Sequence, residues 1–193
     1  MIEALIGLVG VVVGSAITIT KDVWTSRLDR RRQGSYSAIR LICILEEYAD
    51  KCIDVANDDG TVGGQPAGRE ESGEDYCESQ AAAPDPLNFP EDIAWRSLPE
   101  SLMHRILALP NKARSTNRHI EASGEYAFPP DYAEFFKPRQ AGYAQLALDA
   151  LAIMEDLRKA FGISVESRTS LNTDWDPKAF LSEKVSSFQG NED

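Results

Sequence analysis

Apolar and polar residues follow one another in blocks along this chain, and the first block is the most distinctive. Residues 4–20, ALIGLVGVVVGSAITIT, contain no ionisable side chain and include nine Leu, Ile or Val residues. As an α-helix this run spans roughly 25 Å, near the lower limit for the hydrocarbon core of a bilayer. Glu3 and Asp22 mark its two water-facing ends, and Trp24 suits the interface. The pattern predicts a transmembrane helix within residues 1–24.

Two other interpretations of the apolar run are weaker. A cleaved signal peptide would place basic residues before the run, although Gly14-Ser15-Ala16 resembles a cleavage site. A buried core helix would be unusual at this length. Four arginines follow the run, as expected on the cytoplasmic side of a membrane helix: Arg27, Arg30, Arg31 and Arg32. We therefore expect a single-pass protein of the inner (cytoplasmic) membrane, with its N-terminus outside and the rest of the chain in the cytoplasm.

Small residues lie along one side of the predicted span. Gly10 and Gly14 form a GxxxG pair, and Thr18 follows four positions later. Such a face allows a second helix to approach closely, which would give a homo-oligomer. Because glycine is common in membrane helices, the pair is equally compatible with a plain anchor.

The second block, residues 25–57, predicts an amphipathic helix next to the membrane. It has no proline, and its apolar residues recur every three or four positions. These positions are Ile39, Ile42, Cys43, Leu45, Ala49, Cys52, Ile53 and Ala56. Later helices of the same chain or a second copy could cover this stripe. Intramolecular packing is favoured because the stripe is too short and irregular for a coiled coil.

The third block, residues 58–89, is rich in Gly, Pro, Ser and acidic residues. Residues 58–90 hold eight acidic side chains and one basic one, which accounts for most of the formal charge of −11. With few large apolar residues to bury, the segment is predicted to be an acidic linker that is disordered or loosely draped.

The fourth block, residues 90–163, predicts a helical domain. Apolar spacing gives one helix that ends at Pro110, a second over residues 111–126, and a long third helix that becomes regular near Lys137 and ends at Gly162. The tail, residues 164–193, is polar. It contains a candidate short helix over residues 177–188, which either docks on the bundle or stays free.

No strand pattern competes with these helices, so the predicted fold class is all-α: one N-terminal transmembrane helix followed by a small cytoplasmic helical bundle. The chain is 193 residues long, too short for most large enzyme folds built on a barrel or a doubly wound sheet.

The sequence offers little chemistry. His104 and His119 have no partner at metal-ligand spacing, and the three cysteines form no CxxC pair. Motifs for phosphate, dinucleotide or zinc binding and for a nucleophilic serine are missing from the sequence. Residues 91–163 carry nine basic and ten acidic side chains, which does not favour nucleic acid. We therefore assign no catalytic, cofactor-binding or metal-binding residue.

Four short pieces carry a resemblance to a group of proteins. They are Trp-Arg-Ser-Leu-Pro at 95–99, Arg-Ile-Leu-Ala-Leu-Pro-Asn at 105–111, Pro-Pro-Asp-Tyr at 129–132 and Leu-Arg-Lys-Ala-Phe-Gly-Ile at 157–163. In these the chain resembles uncharacterised bacterial single-pass membrane proteins with an N-terminal anchor and a helical cytoplasmic domain. The resemblance implies a bacterial or phage-derived setting and an unassigned role, and no catalytic residue is carried over from it.

Three functions remain as hypotheses. The favoured one is a membrane-tethered scaffold or adaptor that binds a protein partner of unknown identity through its helical domain. The alternatives are a small oligomerising effector that perturbs the lipid bilayer, and an enzyme whose site the sequence does not reveal.

Overall fold

The computed structural model describes residues 2–129, 132–164 and 175–190, without the side chains of residues 2–20, 22 and 23. The described residues form four α-helices, two short β-hairpins and one 3-10 turn. In chain order they are α1 (Ile2–Asn57), β1 (Thr61–Val62), β2 (Gln65–Pro66), β3 (Gly68–Arg69), β4 (Asp75–Tyr76), the 3-10 turn (Trp95–Ser97), α2 (Glu100–Gly124), α3 (Ala133–Phe161) and α4 (Pro177–Gln189). The chain is mostly helical, which confirms the predicted all-α class.

Helix α1 enters the bundle at Gly34. From there to its end it buries one face on α3, so the predicted intramolecular packing is found. The buried side chains are Ala38, Leu41, Ile42, Leu45, Tyr48, Ala49, Cys52, Val55 and Ala56. Two residues of the predicted stripe differ: Ile39 is 47% exposed and Cys43 is exposed. The buried face is rotated about the helix axis relative to the predicted one, so Ala38 and Leu41 are buried instead.

The predicted transmembrane segment falls largely on residues whose side chains lie outside the description. The backbone of α1 is helical from Ile2 onward. Within the part of the chain that the structure describes, no helix has the length and apolarity needed to cross a membrane. The small-residue positions Gly10, Gly14 and Thr18 fall outside the described side chains.

Residues 58–89 differ from the disordered linker that their composition predicts. Strands β1 and β2 pair in antiparallel register, as do β3 and β4. The first hairpin turns at Gly63 and Gly64, whose φ angles of 60° and 78° lie in the left-handed region. A two-residue Gly-Gly loop is a known hairpin signal, since both positions need a positive φ. The Gly63-Gly64 signal is present in the sequence, but the prediction of disorder for residues 58–89 rested on composition alone.

Helix α2 corrects the predicted break at Pro110. The helix runs through Pro110 to Gly124. Proline removes one backbone hydrogen bond. On either side of it Leu109 and Ile120 are buried, and α2 packs along α3. Burial of this face outweighs the local cost, so one helix replaces the two that were predicted.

Helix α3 lies at the centre of the bundle and contacts α1, α2 and α4. It begins at Ala133 and tolerates Pro138 in its second turn. Gly162 follows its last residue with φ 64°, in agreement with the predicted C-terminal stop. Helix α4 agrees with the candidate short helix of the tail, and it docks on α3 with Leu181 fully buried.

Candidate functional site

The most distinctive surface is the segment of α1 that projects from the bundle, which we name the basic arm (residues 21–33). Every described side chain in it is exposed, namely Lys21 and residues 24–33. Trp24 is 72% exposed and Leu28 is 47% exposed. The described side chains of the arm are therefore largely open to solvent, although its backbone is continuous with the bundle.

The four arginines predicted to flank a membrane span all lie on this arm. Arg32 approaches Asp29 at 4.0 Å, and both side chains are largely exposed. An exposed ion pair of this kind contributes little to the stability of the fold. Among the described residues, Arg27, Arg30 and Arg31 take part in no ion pair. The arm therefore presents guanidinium charges that the described side chains leave almost unneutralised.

The junction between arm and bundle is tight. A Cβ atom added at Gly34 would lie 2.5 Å from Cε1 of Phe161 and 3.0 Å from the carbonyl oxygen of Ser97. One turn further on, the buried hydroxyl of Ser37 accepts a hydrogen bond of 3.0 Å from the Ala94 backbone N–H. Arg40 forms an ion pair with Asp92. Contacts with residues 92–97 and with Phe161 of α3 thus fix the direction in which the arm leaves the bundle.

The far end of α1 is fixed by a buried ion pair. Asp58 follows the helix directly, and its carboxylate lies 2.8 Å from the Arg139 guanidinium of α3, with side-chain exposures of 3% and 6%. Backbone N–H groups of Gly60, Gln80 and Ala81 each donate to this carboxylate at 2.9 Å. Arg139 also donates to the carbonyl oxygen of Ala81. The pair therefore ties α1, the hairpin segment and α3 together.

The hydrogen bonds decide the charge state of Asp58. Burial by itself raises the pKa of the carboxyl group, but the N–H donors of Ala81 and Gly60 and the Arg139 guanidinium outweigh it. The net result is a pKa below the usual aspartate value. Asp58 is thus held as a carboxylate, in a role that stabilises the fold.

A second polar contact, which is partly buried, joins α2 and α3. Tyr143 on α3 donates a hydrogen bond of 2.7 Å to Asn117 on α2. On α1, Tyr48 lies beside Cys52, and burial raises the pKa of the Cys52 thiol to about 12. A neutral, fully buried thiol is a poor nucleophile, which favours a packing role for Cys52.

Two surface recesses lie away from the arm. One of about 670 Å³ is lined, among the described residues, by Asn111, Arg114, Asn117, Arg118 and Glu121 of α2. Another of about 300 Å³ lies between α2, α3 and α4, with His119, Gly142 and Phe188 in its wall. Within the described ranges, no group of three His, Cys, Asp or Glu side chains is placed to hold a metal ion. The lining of the second recess also includes Ser115 and Thr116, but among the described residues no hydrogen bond joins either hydroxyl to the His119 imidazole.

Sequence reasoning located the arm's arginines but missed the buried pair. The Asp-Asp-Gly signal at 58–60 indicates a turn after a helix. Nothing local identifies Arg139, 81 residues away, as its partner.

Comparison with known proteins adds no relative: no family model matches the chain, and no match was found among curated proteins or solved structures.

Proposed function

We propose that this chain is a single-pass protein of the bacterial inner membrane, whose helical bundle acts in the cytoplasm as a scaffold or adaptor for another protein. The observation that carries the proposal is the continuity of α1. One helix of 56 residues contains the apolar run, the basic arm and the first layer of the bundle core. A chain built in this way would hold a folded bundle at a fixed distance from a membrane anchor.

The charge pattern of the arm supports the proposed orientation. Positive charge next to an apolar segment favours retention of that side in the cytoplasm. All four arginines are exposed, so none of them is committed to the packing of the bundle.

An apolar stripe on α1 supports a role in binding. Tyr36 and Ile39 are 59% and 47% exposed and lie on the side of α1 away from α3, with the exposed Cys43 one turn further on. Large exposed apolar side chains that recur along one helix face are common at protein interfaces. This stripe is our candidate surface for the partner, whether another protein or a second copy. The proposal includes no catalytic role, cofactor or nucleic acid.

Topology is the first test. A reporter fused after Asp193 in the full chain should report the cytoplasm, and the protein should resist alkaline extraction from membranes. Replacement of the four arginines by glutamate should disturb the orientation. A reporter signal from the outer side, or recovery of the unmodified chain without membranes, would contradict the proposal.

The second test concerns the partner. Full-length protein purified from solubilised membranes should retain a protein that is lost when Ile39 is replaced by Asp. Val62→Asp is the matched control, because Val62 is 56% exposed but lies in the first hairpin. Equal recovery of the retained protein with both variants would show that the stripe is not the binding surface.

A further inference from the structure

We propose that the basic arm binds the anionic phospholipid headgroups of the membrane that anchors it. The inference rests on the anchorage proposed above and adds a ligand class to it. An arm of this kind would recognise negatively charged lipid, beyond serving as a spacer between anchor and bundle.

The first argument is the availability of the charges. The arm contains five basic and two acidic residues. Its described side chains are exposed, and the one ion pair they form, between Arg32 and Asp29, is a long and solvated one. Guanidinium groups bind phosphate oxygens through paired hydrogen bonds, and here that capacity is unused by the described side chains.

The second argument is distance. At the rise of an α-helix, Arg27 lies about 9 Å beyond Lys21 along the axis, and Arg30 to Arg32 lie about 14 to 17 Å beyond it. The attraction of an anionic leaflet falls off over a Debye length of about 8 Å. Arginine side chains extend along a helix toward an interface. Arg27 is therefore within the field of the headgroups, and the other three lie at its outer limit.

The third argument is the contrast with the rest of the chain. Residues 34–193 carry 28 acidic and 15 basic side chains. The leaflet that attracts the arm repels this part. Charge complementarity thus confines lipid binding to the arm and keeps the acidic bundle away from the surface.

The arm holds its own reporter for the test. Trp24 is largely exposed and lies one helical turn after Lys21, whereas Trp95 packs against the bundle core and Trp175 lies two residues before α4. Full-length protein is reconstituted into vesicles that contain phosphatidylglycerol or phosphatidylcholine brominated on its acyl chains near the glycerol. At equal mole fraction, we expect brominated phosphatidylglycerol to quench the tryptophan fluorescence more strongly. A basic residue at the surface favours anionic lipid by up to about fivefold.

Three variants make the result specific. Trp24→Phe should remove the quenching by both lipids, which assigns the signal to the arm. The triple variant Arg27→Gln, Arg30→Gln, Arg31→Gln should clearly weaken the preference for phosphatidylglycerol, with Lys21 and Arg32 accounting for what remains, and 0.5 M salt should abolish it. The matched control removes three exposed arginines of the bundle and should leave the preference unchanged: Arg96→Gln, Arg114→Gln and Arg118→Gln.

The outcomes separate this inference from the proposed function. Equal quenching by both lipids in the wild type would overturn the lipid preference while leaving the anchorage intact. A preference as strong in the Arg27, Arg30 and Arg31 variant as in the wild type would also overturn it. Protein that stays off the vesicles, with Trp24 quenched by neither lipid, would overturn the anchorage itself.

Discussion

Replacement of Asp58 by Asn should strongly destabilise the bundle. The substitution keeps the size of the side chain and removes its charge. The Asn oxygen can still accept the Gly60 N–H, which donates to Oδ1 in the wild type. The Asn amide nitrogen then faces three donors that now bond to Oδ2, from Gln80, Ala81 and Arg139. The Asn amide N–H groups would then face other N–H donors with no acceptor for them. The buried Arg139 guanidinium would also lose its counter-charge.

The expected loss of folding free energy follows from the burial of the Asp58–Arg139 ion pair. Removing one partner of a buried ion pair typically costs about 3 to 5 kcal/mol, because the other charge is left uncompensated. For a domain of this size, each kcal/mol lowers Tm by about 2 to 4 °C. The Asp58→Asn variant should therefore unfold roughly 6 to 20 °C below the wild type.

Thermal unfolding of the full chain in mild detergent measures this difference. Trp95 is a suitable probe, because it packs edge-to-face against Phe89 at 5.6 Å. Asp75→Asn is the matched control, since it breaks the exposed pair with Arg69 in the second hairpin and should change Tm much less. If Asp58→Asn melts within about 2 °C of the wild type, the buried pair does not hold the hairpin segment to the helices as we argue.

Three further predictions concern other properties. Because the folded pKa of Asp58 lies below its usual value, its contribution is present above about pH 4 and is lost as the pH falls through the folded value. Urea titrations should therefore show a smaller acid-induced loss of stability in Asp58→Asn than in the wild type, and parallel curves would argue against this. Cys43 should be alkylated rapidly in the native protein and Cys52 only after unfolding, as mass spectrometry of the labelled peptides would show; equal rates would contradict the burial of Cys52. Replacement of Gly10 and Gly14 by Ile should abolish self-association of the full chain in membranes while insertion improves, and an unchanged association signal would assign any oligomer to other residues.

Helices α3 and α4 were predictable because local signals agree with their packing. Pro177 follows an Asp that caps the helix, and Gly162 takes the left-handed conformation that glycine permits. The break at Pro110 was predicted from the same kind of signal and is wrong. There the local preference of one residue competes with an apolar face that continues on both sides, and the burial on α3 prevails.

The segment at 58–89 shows the other limit of local reasoning. Its composition gives little apolar area to bury, so disorder was the natural prediction. Its order depends on a carboxylate that meets an arginine 81 residues further along the chain. Such long-range pairing leaves no trace in residue spacing. The arm was easier to identify, since the basic residues that define it lie close together in the sequence of α1.

Because α1 is continuous, the number of residues in the basic arm determines the rotation of the bundle about the helix axis as well as its distance along that axis. Each residue of an α-helix turns the chain by about 100° and advances it by about 1.5 Å. Two residues inserted into the arm would turn the bundle by about 200° about the helix axis, so that the stripe at Tyr36 and Ile39 would face nearly the opposite way. Seven inserted residues would return it to within about 20° of its original direction, although about 10 Å further out. In the anchored chain that we propose, the number of residues between anchor and bundle would therefore set the azimuth at which the proposed binding surface meets a neighbour in the plane of the membrane.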